Sequence, residues 1–165
     1  MLESTRERSS EVSDLAWVEL DLGKRIWTIP SVRSKNGRPH MVHLTQRAVE
    51  LIQIQEASCE LVFPSITGKR FNGFSNAKRE LDETSGVSNW VLHDLRRTAV
   101  SGMARLGVAP HVADKILNHQ SGTISGVAAV YQRHDFLAER KAAIELWGVH
   151  VEMLLRPTES AKKAM

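Results

Sequence analysis

Trp17-Val18-Glu19-Leu20-Asp21-Leu22-Gly23-Lys24-Arg25-Ile26-Trp27-Thr28-Ile29 alternates apolar and polar side chains around the polar cluster Asp21 to Lys24. Period-two alternation on both sides of a short turn predicts two antiparallel strands, over 17–20 and 26–29. Lys35-Asn36-Gly37-Arg38 supplies the next turn, because Asn-Gly tolerates the positive φ that hairpin loops require. His40 to Leu44 then reads as a third strand. Upstream, Ser9-Ser10-Glu11 suits the first turn of a short helix reaching Leu15, with its acid near the positive helix end.

Downstream the period changes. Thr45 can cap a helix whose apolar positions Ala48, Val49, Leu51 and Ile52 form one broad face, with its end expected near Ser58. Leu61 to Pro64 reads as extended, and Ser65 to Asn72 as loop. Further helices are expected over 74–84, 93–106, 110–118, 126–132 and 134–147. Gly107 closes one of these and Pro110 opens the next, the usual asymmetry of helix ends. A few strands followed by a run of helices define an α+β chain: a mostly helical domain with a small three-stranded antiparallel sheet near its N-terminus.

Composition narrows the class without naming a function. At 165 residues the chain has room for one domain of roughly 100–200 residues. A hydrophobic share of 42% and a charged share of 25% exclude disorder, collagen and coiled coil as global descriptions. Cys59 is the only cysteine, so an internal disulfide is impossible and a reducing compartment is expected. No apolar run approaches the ~18 residues of a membrane span, and the first residues do not resemble a signal peptide. A soluble, cytoplasmic protein without a membrane partner is the expectation. The net charge of +3 is compatible with nucleic acid but too small to argue for it.

Chemistry concentrates in the second half. In His93-Asp94-Leu95-Arg96 the imidazole and the guanidinium lie three residues apart on an expected helix and so share a face. A titratable ring beside a fixed cation suits a bound phosphate, which arginine can grip in a bidentate manner. An isolated pair of this kind is also what an ordinary solvated helix face carries. Leu117-Asn118-His119 ends a later helix, and Val130-Tyr131-Gln132-Arg133 contains the only tyrosine. A lone tyrosine can be structural; it can also attack phosphorus where cations stabilise the phenolate.

Taken together, His93-Asp94-Leu95-Arg96-Arg97-Thr98, Leu117-Asn118-His119 and Val130-Tyr131-Gln132-Arg133-His134-Asp135 resemble the C-terminal half of a tyrosine recombinase catalytic domain. The likeness is greatest to the integrases of prophages and genomic islands. Arg8-Ser9-Ser10-Glu11-Val12 resembles that family's first-arginine box, and Trp17 to Leu22 the strand after it. Arg33 to His40 resembles the hairpin that carries a catalytic lysine. The boxes run in the family's order from about Thr5 to about Val151.

The resemblance implies residue roles. Tyr131 is the nucleophile that forms a 3′-phosphotyrosyl bond to DNA. Arg8 and Arg96 clamp the phosphate, and Lys35 protonates the leaving 5′-oxygen. His93 is the acid–base partner of the tyrosine, and His119 hydrogen-bonds the phosphate. Arg8, Lys35, Arg96 and Arg97 are the expected DNA contacts. Two arginines and a lysine replace metal ions, so neither a metal nor a cofactor is implied. The partners are double-stranded DNA at attachment sites and other recombinase protomers. Arg6 stands where the family usually has glycine and competes with Arg8 for the first-arginine role; Glu11, three residues beyond Arg8, favours Arg8. Residues 1–155 are expected to form the catalytic domain and 156–165 a polar tail. The family's preceding helix and core-binding domain do not fit into residues 1–7, which implies a catalytic domain without its front.

Three other readings exist. Val112 to His119, followed by Thr123-Ile124-Ser125, resembles a helix-turn-helix, with Ala113 at the close approach; that would make a DNA-binding regulator but leaves Arg8, Lys35, His93 and Tyr131 unexplained. Metal binding by the seven histidines fails on spacing, since His40 and His43 on a strand face opposite sides. The third is a truncated integrase remnant that retains the fold without recombining DNA.

Overall fold

The computed structural model describes residues 9–34, 37–119 and 135–156. A short helix α1 over 9–13 leads to the strands β1 (Leu20–Asp21), β2 (Ile26–Ile29) and β3 (His40–His43). These form one antiparallel sheet in the order β1-β2-β3, with Leu20 opposite Trp27 and Ile29 opposite His40. The helices α2 (Gln46–Gln53), α3 (Phe74–Ser85), α4 (Leu92–Arg105), α5 (Pro110–Ile116) and α6 (Leu137–Leu155) follow. The architecture is the expected α+β one. The helix expected over 126–132 falls outside the described residues.

The larger departures from the sequence reading have tertiary reasons. Trp17–Glu19 forms a 3-10 turn rather than strand. The Glu19 carboxylate faces back into the protein, accepting from the Ala16 amide at 3.4 Å, the Trp27 indole at 3.0 Å and Arg33 Nε at 3.1 Å. Helix α2 stops at Gln53 instead of Ser58. Beyond it the chain must turn back, because Val62 N–H bonds Leu15 O at 2.9 Å and Trp17 N–H bonds Glu60 O at 3.1 Å. Helix α6 begins at Leu137 and passes through Gly148 to Leu155. The helix expected over 134–147 thus runs on past 147, and Gly148 within it serves packing: a Cβ there would lie 2.8 Å from the Thr45 methyl.

Two cores result. The first packs Trp27 and Ile29, the inward residues of β2, against Leu15, Val49, Ile52 and Val62. The second packs Met103 of α4 against Val112 and Ala113 of α5 and Ala143 of α6. Ala113 therefore faces the protein's own helical body. Helix α6 joins the two cores. Its Arg140, only 5% exposed, donates to the carbonyls of Met41 on β3 and, at 3.5 Å, of Asp135. Burial pushes the Arg140 guanidinium below its usual range, with Asp135 opposing that shift. Glu145 adds an ion pair to Arg25 at 2.7 Å.

The α4–α6 crossing depends on Gly102. A Cβ there would sit 2.1 Å from Trp147 Cζ3, far inside van der Waals contact. Alanine improves helix propensity by up to about 1 kcal/mol, whereas overpacking costs about 1–3 kcal/mol. Gly102→Ala should therefore destabilise by about 1–2 kcal/mol and lower Tm by roughly 2–8 °C. Combining it with Trp147→Leu should cost less than the sum of the two single changes in a denaturation series. Strict additivity would show that the ring is not the obstacle.

Candidate active site

Three turns position the side chains. At the start of α4 the Val91 amide donates to the Asp94 carboxylate at 3.0 Å, and the Asp94 amide returns a bond to Val91 O at 2.8 Å. The bond from Val91, opposed by slight desolvation and aided by Arg97, holds the Asp94 carboxyl below the usual aspartate range. This cap fixes the first turn of α4, which carries His93 and Arg96. At its other end Gly107 adopts φ 84°, and the Val108 and Gly107 amides bond Met103 O and Ala104 O, both at 3.0 Å. That closing motif turns the chain into Pro110, the first residue of α5.

Helix α5 ends in the same motif with asparagine in place of glycine. Asn118 is left-handed at φ 53°. Its amide bonds Lys115 O at 3.2 Å, and the His119 amide bonds Asp114 O at 3.0 Å. Asparagine is the residue other than glycine that enters this conformation at low cost. The turn brings His119 across to α4. One terminal nitrogen of Arg96 donates to Leu117 O at 2.8 Å and to His119 Nε2 at 3.0 Å. A guanidinium can only donate, so Nε2 presents its lone pair and the ring proton lies on Nδ1. Nδ1 faces Asp114 Oδ1 at 3.4 Å. Arg96, His119 and Asp114 thus form a line of cation, imidazole and carboxylate, with the His119 side chain 43% exposed to solvent.

This line suits an anion. Arg96 supplies fixed positive charge, and Asp114 can compensate an imidazolium when His119 takes a proton on Nε2 to hydrogen-bond a phosphate oxygen. The structure thus joins two of the expected site residues, Arg96 and His119, which are 23 positions apart. His93 is half-buried on α4, one turn before Arg96. Arg97 is turned to Asp94 at 3.1 Å on the exposed side. Arg8, Lys35 and Tyr131, and the competing Arg6, lie outside the described residues.

The residues flanking 120–134 are both held by α5. His119 meets Asp114, the Asp135 carboxylate lies 3.8 Å from Lys115 Nζ, and the Phe136 ring lies tilted against His111 with centroids 4.8 Å apart. Sequence reasoning missed Asp114, although it lies five positions before His119, the span that the helix-closing motif bridges. It also missed the contact of Asn118 Nδ2 with Ser34 Oγ at 3.2 Å, which links positions 84 apart and has no local signature. Among the described residues no group of three or more His, Cys, Asp or Glu side chains is placed to hold a metal ion. No described helix is long and apolar enough to cross a membrane.

The fold resembles the integrase from mycobacterium phage Brujita, with a TM-score of 0.61 at 18% identity, over 88% of this chain and 52% of that one. It also resembles XerA recombinase, with a TM-score of 0.56 at 22% identity, over 91% of this chain and 53% of that one. In sequence, the prophage integrase IntA of Escherichia coli (strain K12) is 26% identical over 147 residues, 87% of this chain and 35% of that protein. The profile of the phage integrase family matches residues 1–137, and the chain belongs to that family. It spans about a third of the curated relative's length and about half of each solved chain.

The Asp94 cap has a pH signature. A carboxyl held below its ordinary value contributes stability that is full above about pH 4 and is lost as pH falls through the lower, folded-state value. Asp94→Ala should therefore be less stable than the parent in urea unfolding at pH 6. The two proteins should converge as the pH drops below about 4. A gap that persists unchanged at low pH would show that the side chain acts by packing rather than by charge.

Proposed function

We propose that residues 1–155 are the catalytic part of a site-specific DNA recombinase that cuts and rejoins strands through a 3′-phosphotyrosyl intermediate. The observation that carries this reading is the 3.0 Å contact between Arg96 and His119, backed by Asp114, in a chain of the phage integrase family. Tyr131 attacks the scissile phosphorus. The new bond joins its phenolic oxygen to phosphorus, and the P–O5′ bond breaks. His93 takes the phenolic proton, and Lys35 delivers a proton to the departing 5′-oxygen. Arg8 and Arg96 hold the non-bridging oxygens, whose negative charge grows in the transition state; as Arg96 turns its donor from His119 to the phosphate, His119, protonated at Nε2, donates to a phosphate oxygen. Arg97 contacts the DNA backbone.

Rejoining is the same path reversed: a 5′-hydroxyl attacks the phosphotyrosyl phosphorus and expels Tyr131. Because the covalent bond conserves the phosphodiester energy, no external energy source enters. The arginines and the lysine supply the positive charge. The partners of this reading are duplex DNA bearing attachment sites and further recombinase protomers bound to it.

Two experiments test it. A nicked suicide duplex carrying the cognate site should trap a denaturant-resistant protein–DNA adduct, and Tyr131→Phe should abolish the adduct while DNA affinity changes little. An adduct that persists in the phenylalanine variant would contradict the reading. The leaving-group role predicts a second difference. Lys35→Ala should cut the ordinary substrate poorly but a substrate with sulfur at the 5′-bridging position almost normally, since a thiolate departs without a proton. Equal loss on both substrates would mean that Lys35 only binds DNA.

A further inference from the structure

The turn that presents His119 also touches the β2–β3 hairpin. Asn118 Nδ2 donates to Ser34 Oγ at 3.2 Å. Ser34 is 7% exposed and closes a turn in which its own amide bonds Pro30 O at 3.0 Å and the Gly37 amide bonds Ser34 O at 2.9 Å. Its neighbour Arg33 holds the same turn from the other side. Arg33 pairs with the Glu19 carboxylate and donates to Glu11 O at 3.4 Å, on the segment that follows Arg8 in sequence. The dipeptide Arg33-Ser34 therefore ties the N-terminal helix, the hairpin and the His119 turn together, immediately before Lys35.

We propose that Asn118 is a positioning residue: its side-chain bond to Ser34 docks the β2–β3 hairpin against the Arg96–His119 pair. This rests on the cleavage reading above and deepens it. The hairpin and the Arg96–His119 pair belong to distant segments, Ser34 and Asn118 being 84 residues apart, and this bond ties them directly. Asn118 has a backbone task and a side-chain task, and these are separable. Glycine adopts φ 53° more readily than asparagine and so preserves the helix-closing turn, while removing the amide. A purely structural role in that turn would tolerate glycine. A docking role would not.

The test uses the full chain with Asn118→Gly, Ser34→Ala and the double variant. Hydrogen exchange over residues 30–43 should rise in each single variant and no further in the double, because all three lose the same bond. On the suicide duplex, each single variant should form adduct about fivefold more slowly, the rate equivalent of one net hydrogen bond. With sulfur at the 5′-bridging position the rates should return to within about twofold of the parent, because the lost function is proton delivery from the hairpin side. Unchanged hairpin exchange in both single variants overturns the inference whatever the cleavage rates. Equal slowing on oxygen and sulfur substrates also overturns it, by assigning Asn118 to the phosphate site alone. If the parent chain forms no adduct on either substrate, the cleavage reading fails instead, and the exchange series still decides whether Asn118 docks the hairpin.

Discussion

Everything at the candidate site depends on one residue standing in a left-handed conformation. At φ 53° Asn118 ends α5, turns the chain through the bonds from Asn118 to Lys115 O and from His119 to Asp114 O, and so points His119 at Arg96. A right-handed residue there would continue α5 and carry the imidazole away from α4. The carbonyl of Leu117, released from the helix by the same turn, becomes the second acceptor for Arg96. The Arg96–His119 pair is thereby built from backbone geometry, and the side chains only complete it.

The rest of the fold keeps α4 and α5 where this turn can work. Gly102 lets Trp147 of α6 lie directly on α4, and Val112 and Ala113 press α5 into the same core. Arg140 then fastens α6 to the sheet through backbone carbonyls, a costly arrangement because a buried guanidinium gives up its hydration. That cost suits a joint whose geometry must not drift. The sheet side reaches the site through Arg33 and Ser34, so both halves of the molecule meet at the end of α5.

Much of this was legible in the residues. Period-two alternation found β2 and β3 almost to the residue, and Gly107 and Pro110 marked the α4–α5 junction because their conformational demands are local. The boxes around Arg96 and His119 singled out two residues that the structure brings into contact. What failed was non-local. The Trp17–Glu19 turn follows from a carboxylate drawn inward by Trp27 and Arg33, and the early end of α2 from pairing of Val62 with Leu15. Ser34 escaped notice for the same reason, its partner Asn118 lying 84 positions away, whereas Asp114 was within local reach of His119 and was passed over.

The central claim is that His119 and Tyr131 serve one phosphate. The most direct measurement is the identity of the residue that carries DNA after cleavage. Trypsin cuts after Lys115 and Arg133, so both residues fall in one peptide, Ile116 to Arg133, which contains the chain's only tyrosine. Mass spectrometry of the digested adduct should find the 3′-nucleotide on Tyr131 within that peptide. A nucleotide attached to any other peptide, or to a residue other than Tyr131, would contradict the account.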